Sequence, residues 1–134
     1  MGQTRLPARN QSSLMAKSFS VILVVLLLIA PSTLSAHAYL VKSSPAQRAV
    51  LYRAPAKIQL WFNEPLEPRY STLSVTDSNG KPVELGQTEI ANDDPKRLSA
   101  TIKALSAGRF VVKYRVLSVD GHIAEDQFPF TVKQ

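Results

Sequence analysis

The sequence predicts an all-β fold, a sandwich of seven short strands. Three observations predict it. From His37 onward, apolar residues recur with period two or gather in short β-branched runs; turn-forming residues separate those runs; and no stretch carries the 3.6-residue spacing of an amphipathic helix. Strands are expected at 39–43, 57–62, 72–76, 82–85, 97–102, 109–119 and 127–132. In Lys57-Ile-Gln-Leu-Trp-Phe62 the alternation is clearest: Ile58, Leu60 and Phe62 share the core face, and Lys57, Gln59 and Trp61 the other. Ser78-Asn-Gly-Lys81 reads as a hairpin turn between the third and fourth strands, because Asn and Gly both tolerate positive φ. Leu105-Ser-Ala-Gly108 turns the chain into the sixth strand. Asn92-Asp-Asp-Pro-Lys96 reads as a polar loop, with too few oxygen ligands for a calcium site.

Ahead of this domain lies a segment with the order of a secretory signal. Arg5, Arg9 and Lys17 make a basic region without acids, Phe19 to Ala30 an apolar run, and Pro31 to Ala36 a stretch of small residues. The apolar run is about a dozen residues, well short of the ~20 that span a bilayer. No Arg-Arg pair precedes it, so the general secretory route is expected, with residues 1–36 removed as a signal peptide and 37–134 as the working domain. That cut leaves 98 of the 134 residues, enough for a single small core, with no cysteine for a disulfide or a lipid anchor. It also takes away three of the 16 cations and none of the 10 anions, so the net charge of +6 overstates how basic the exported domain is. A nucleic-acid partner is not expected, nor a membrane span once the signal is gone.

Few groups in the domain could carry chemistry. Both methionines, Met1 and Met15, fall in the signal; there is no cysteine; and the only histidines are His37 and His122. No Gly-x-Ser-x-Gly elbow, phosphate-cradling glycine loop or His-Glu-x-x-His helix occurs. What remains is Ser118-Val-Asp-Gly-His122 at the end of the longest strand. If that strand continues, Asp120 and His122 point to one face and can reach one ion together. On spacing alone the segment also reads as a plain turn with His122 exposed beside it. His37 bears on this choice, because a cut after Ala36 makes it the first residue. Its α-amine and imidazole Nδ1 then form one chelate, and with Asp120 and His122 the set is three nitrogens and an oxygen, a tetragonal combination suited to Cu(II). The signal rule leaves the cut open: Leu34-Ser-Ala36 and Ala36-His-Ala38 both end in alanine, the second fits the Ala-x-Ala pattern better, and cutting there would discard His37.

Taken together, His37-Ala-x-Leu40, Ser44-Pro-Ala46, Ala54-Pro-Ala-Lys-Ile-Gln-Leu-Trp-Phe-Asn-Glu64, Ala107-Gly108-x-Phe110 and Ser118-Val-Asp-Gly-His122 resemble the CopC family of bacterial periplasmic copper-resistance proteins. The resemblance spans the whole domain. It implies a Greek-key β-sandwich, immunoglobulin-like or cupredoxin-like, and a site for one Cu(II) ion on His37, Asp120 and His122. It also implies a carboxylate beside the copper site at Glu64, which orients a ligand or a water; Glu64 reads otherwise as a strand-end surface acid. Some members carry a methionine-rich Cu(I) loop. This chain departs from them, so the Cu(II)-only type is expected, and any CopD-like inner-membrane copper transporter is expected to be a separate chain.

The leading expectation is an exported, periplasmic copper-binding protein of homeostasis or resistance, and not an enzyme. A copper monooxygenase built on a terminal histidine is the enzymatic alternative. Against it stand a carboxylate that favours Cu(II) and the small size of the domain. A metal-free immunoglobulin-like interaction module is the third.

Overall fold

The computed structural model describes residues 1–4, which carry no secondary structure, and residues 37–133. The signal-peptide reading lies outside the described residues, among which no helix is long and apolar enough to cross a membrane. Eight strands form from residue 40 onward: β1 Leu40–Ser44, β2 Val50–Leu51, β3 Lys57–Phe62, β4 Thr72–Asp77, β5 Glu89–Ala91, β6 Asp94–Thr101, β7 Gly108–Leu117 and β8 Ile123–Val132, with one 3-10 turn at Pro68–Tyr70. They make two four-stranded sheets, ordered β1-β3-β6-β5 and β2-β8-β7-β4, and the chain crosses between the sheets in the manner of a Greek key. The all-β sandwich expected from the sequence is the fold observed.

Period-two patterning builds the core. Ile58, Leu60 and Phe62 of β3 and Leu98 and Ala100 of β6 face Leu73 and Val75 of β4, the alternate residues Phe110 to Val116 of β7, and Phe128, Phe130 and Val132 of β8, all buried. Phe62 meets Tyr114 of the opposite sheet edge-on at 5.3 Å between ring centroids, and Phe110 stacks on Phe130 at 5.4 Å. Burial raises the Tyr114 phenol above its ordinary range, and Asp126, its register partner on β8, adds to the effect.

Several expected elements are corrected. Residues 82–85 are not a strand. Val83 N–H bonds to Val75 of β4 in one sheet, whereas Gly86 N–H bonds to Thr101 of β6 in the other, so the segment crosses between sheets and Pro82, which lacks an N–H, makes only an isolated bridge to Thr76. The turn before it forms as expected: Gly80 has φ 76°, and Asp77 N–H bonds to Lys81 O at 2.9 Å. Two strands were not anticipated, β2 and β5, of two and three residues, too short to show a period. β2 runs parallel to the end of β8. The polar loop shrinks to a turn at Asn92–Asp93, and β6 begins at Asp94. β8 begins at Ile123, because the polar run Glu125-Asp126-Gln127 pairs in full with β7.

Phe130 is fully buried and stacked on one side. Replacing it with alanine is expected to cost about 3–5 kcal/mol, measured as a lower urea midpoint with an unchanged slope.

Candidate metal centre

The site sits where β1 begins, β3 and β7 end, and β8 begins. β7 stops at Leu117, so Asp120 and His122 do not share a face by strand alternation as expected. They lie on the turn that closes the β7–β8 hairpin. Ser118 N–H bonds to His122 O and Gly121 N–H to Ser118 O, each at 2.9 Å, and Gly121 adopts φ 92°, which favours glycine. Ser118, only 1% exposed, organises this turn. Its hydroxyl donates to Asp120 Oδ1 and accepts from His122 N–H at 3.2 Å. The other Asp120 oxygen, Oδ2, lies 2.9 Å from His122 Nδ1. With the proton on Nδ1 donated to that carboxylate, Nε2 carries the lone pair a metal needs.

Glu64 arrives from the opposite sheet. The loop after β3 is held against the end of β7 by Glu67 N–H to Leu117 O at 2.8 Å and Val119 N–H to Pro65 O at 3.1 Å, with a bridge between Leu66 and Ser118. Ligand atoms of Glu64, Asp120 and His122 consequently fall within 4.8 Å of one another. His37 completes the group: its ring meets that of His122 edge-on at 5.6 Å between centroids. The segment bearing it is tied to Asn63, whose Oδ1 accepts Tyr39 N–H at 2.7 Å and whose Nδ2 donates to His37 O at 3.3 Å. All four residues predicted from sequence are thus brought together. Ser118 and Asn63 were quoted in motifs without a role. The signal for Ser118 was a hydroxyl two residues ahead of Asp120 in a glycine-containing turn; for Asn63 there was none, because its partners lie 24 and 26 residues away.

The Asp120 carboxyl is held down at about 2, first by the Ser118 hydroxyl and then by the His122 ring, against an opposing effect of burial. It is ionised throughout the neutral range, and a side-chain hydrogen bond with the neighbouring Glu64 carboxyl adds to the lowering. The donors are oxygen and imidazole nitrogen, without sulfur, a set that fits Cu(II) or another borderline divalent ion better than Cu(I).

These features define a small β-sandwich protein with a candidate metal centre on the loops at one end. The chain belongs to the CopC domain family, whose model matches residues 40–133. It is 35% identical over 113 residues to the copper transport protein CutJ of Bacillus subtilis (strain 168), covering 84% of this chain but only 21% of that one. It is 32% identical to copper resistance protein C of Xanthomonas campestris pv. juglandis, covering 85% and 94%. Thus it spans about a fifth of the first relative's length and nearly all of the second's. Among solved structures, CopC from Methylosinus trichosporium OB3b superposes with a TM-score of 0.68 at 40% identity, over 72% of this chain and 94% of that one. PcoC, a methionine-rich copper resistance protein from Escherichia coli, superposes with 0.66 at 31% identity, over 73% and 100%.

Because its folded pKa lies below the ordinary 3.8, Asp120 contributes stability that is present above pH ~4 and is lost as the pH falls toward about 2. In Ser118→Ala the Asp120 carboxyl is expected to titrate back toward 3.8, followed by its ¹³C shift in NMR; an unmoved midpoint would deny Ser118 this role.

Proposed function

We propose that this protein is exported, loses residues 1–36, and holds one Cu(II) ion outside the cytoplasm through the α-amine and ring of His37 with Asp120 and His122, Glu64 standing beside them. The single observation that carries the reading is the meeting of both histidines of the chain with two carboxylates at one end of the sandwich. The names of the relatives, copper transport and copper resistance, support a role in copper homeostasis; to this the reading adds a periplasmic or equivalent location and delivery to a CopD-like membrane transporter.

Each residue has a task of its own. His37 supplies two nitrogens once it is the first residue, His122 supplies its Nε2, and Asp120 both orients the His122 ring and offers carboxylate oxygen. Bound copper supplies the charge that offsets the two acids. A carboxylate in the set favours Cu(II) over Cu(I), which suits holding the ion rather than reductive activation of oxygen.

The fold also bears on the cut. Ala38 is 5% exposed, and the His37 carbonyl is bonded to Asn63. A cut after Ala38 would discard both contacts, which supports cleavage after Ala36.

The intact mass of the exported protein is expected to correspond to a chain starting at His37. That protein is expected to bind one equivalent of Cu²⁺ and to melt at a higher temperature with copper than without. Asp120→Ala, His122→Ala and a form with one residue added ahead of His37 are each expected to lose more than about a hundredfold in affinity, beyond the range of outer-sphere substitutions. Affinity falls with acid, because the imidazoles and the amine must first shed protons. Equal affinity in all four proteins would sink the proposal.

A further inference from the structure

Asn63 is the residue between the end of β3 and Glu64, and it does for residues 37–39 what strand pairing does for the rest of β1. The β1–β3 ladder begins only at Leu40 opposite Phe62, and Lys42 opposite Trp61 follows after a bulge at Val41. Ahead of Leu40 the chain is held by three bonds to one residue. Tyr39 N–H donates to Asn63 Oδ1 at 2.7 Å, Asn63 Nδ2 donates to His37 O at 3.3 Å, and Asn63 N–H donates to Tyr39 O at 3.2 Å. Asn63 is itself fixed from behind, since its carbonyl accepts Lys96 Nζ at 2.9 Å. Its side-chain amide thus imitates a strand neighbour, with an acceptor for one backbone N–H and a donor for a carbonyl two residues earlier.

We infer that Asn63 is a positioning residue for the metal centre: it sets the backbone of His37 to Tyr39 before any metal arrives, so that the first histidine waits beside His122. This role rests on the copper reading of the same site. A chain end is poorly ordered unless tied down, and a ligand that must be ordered at the moment of binding lowers the affinity by the free energy of ordering it. Ala38, between the two bonded residues, is buried and adds an apolar anchor, but a methyl group alone does not fix the direction of the backbone on either side of it. The Asn63 amide does, because its two ends meet groups on both sides of Ala38.

The test compares the exported protein with Asn63→Ala, Asn63→Asp and His122→Ala, each confirmed as folded by its melting curve. Three quantities are read: amide hydrogen exchange at Tyr39 in the metal-free state, Cu²⁺ affinity by chelator competition, and the Cu(II) EPR spectrum. In Asn63→Ala, Tyr39 exchange is expected to accelerate, affinity to fall about tenfold, and the EPR spectrum to show more than one copper environment. Asn63→Asp keeps the acceptor for Tyr39 N–H, so its exchange is expected to stay slow and its affinity closer to wild type. In His122→Ala, Tyr39 exchange is expected to be unchanged while copper affinity collapses. The inference is overturned if Asn63→Ala leaves Tyr39 exchange unaltered, or if exchange accelerates while affinity and EPR spectrum match wild type. Failure of the copper reading looks different: wild type itself then binds Cu²⁺ no more tightly than His122→Ala, and the positioning role falls with it.

Discussion

The site depends on one crossing, the loop at residues 63–67 that leaves β3 in one sheet and lies against the end of β7 in the other. The bonds from Glu67 N–H to Leu117 O and from Val119 N–H to Pro65 O fix it there, and Leu66, 3% exposed, is its apolar foot in the core. Buried backbone groups must find partners, and here the loop and the β7–β8 turn satisfy one another. The consequence is geometric. Asn63 at the start of this loop reaches the amino-terminal segment and Glu64 reaches the turn, so donors far apart in sequence come within a few ångströms without any strand carrying more than one of them. Lys96 and Pro95 of β6 reinforce the crossing, through Asn63 O and Leu66 N–H.

Placing the charged groups on loops at the end of the sandwich, rather than between its sheets, keeps two energetic demands apart. The core is a set of apolar side chains, in which Ser71, Ser99 and Ser118 are the buried polar residues among those described, so no charged group of the site is carried into it. Asp120 and His122 stay roughly two-fifths exposed, and a carboxylate there keeps much of its hydration; the same group buried beside Glu64 would carry a heavy desolvation cost. Ser118 is the one member of the site inside the core. Its hydroxyl exchanges hydrogen bonds with both Asp120 and the His122 backbone, so a buried polar atom is satisfied by the groups it orients.

What the sequence disclosed follows from the range of the interactions involved. β3 could be read from Lys57 to Phe62 because alternation records burial residue by residue. The segment from Pro82 to Leu85 could not, because it divides its hydrogen bonds between two sheets and its apolar residues serve both. β2 and β5 exist through partners alone: Val50 and Leu51 are extended because the end of β8 offers a free edge, which no local pattern announces. At the site, Asp120 and His122 were found from their proximity in sequence, though for an incomplete reason, since a turn rather than a strand brings them together. His37 was legible from the cut that would make it the first residue, and Glu64 only when motifs from the whole domain were set side by side. Asn63 was hidden, because an amide that binds backbone leaves no mark on the residues it holds.

The contacts at the amino-terminal end bear on the proposed signal cut. Two cuts end in alanine, and the one after Ala38 fits the Ala-x-Ala pattern better, yet they differ in what the fold retains. A chain starting at Tyr39 would lose the buried methyl of Ala38 and the carbonyl that Asn63 Nδ2 meets, and its first residue would place an ammonium group where a neutral amide N–H now donates to Asn63 Oδ1. A chain starting at His37 keeps every one of these bonds and gains an amine beside the imidazole of the same residue. On the proposed cut after Ala36, Asn63 and the buried Ala38 hold the backbone beside His37, and the new amine would join the imidazole of the same residue next to His122.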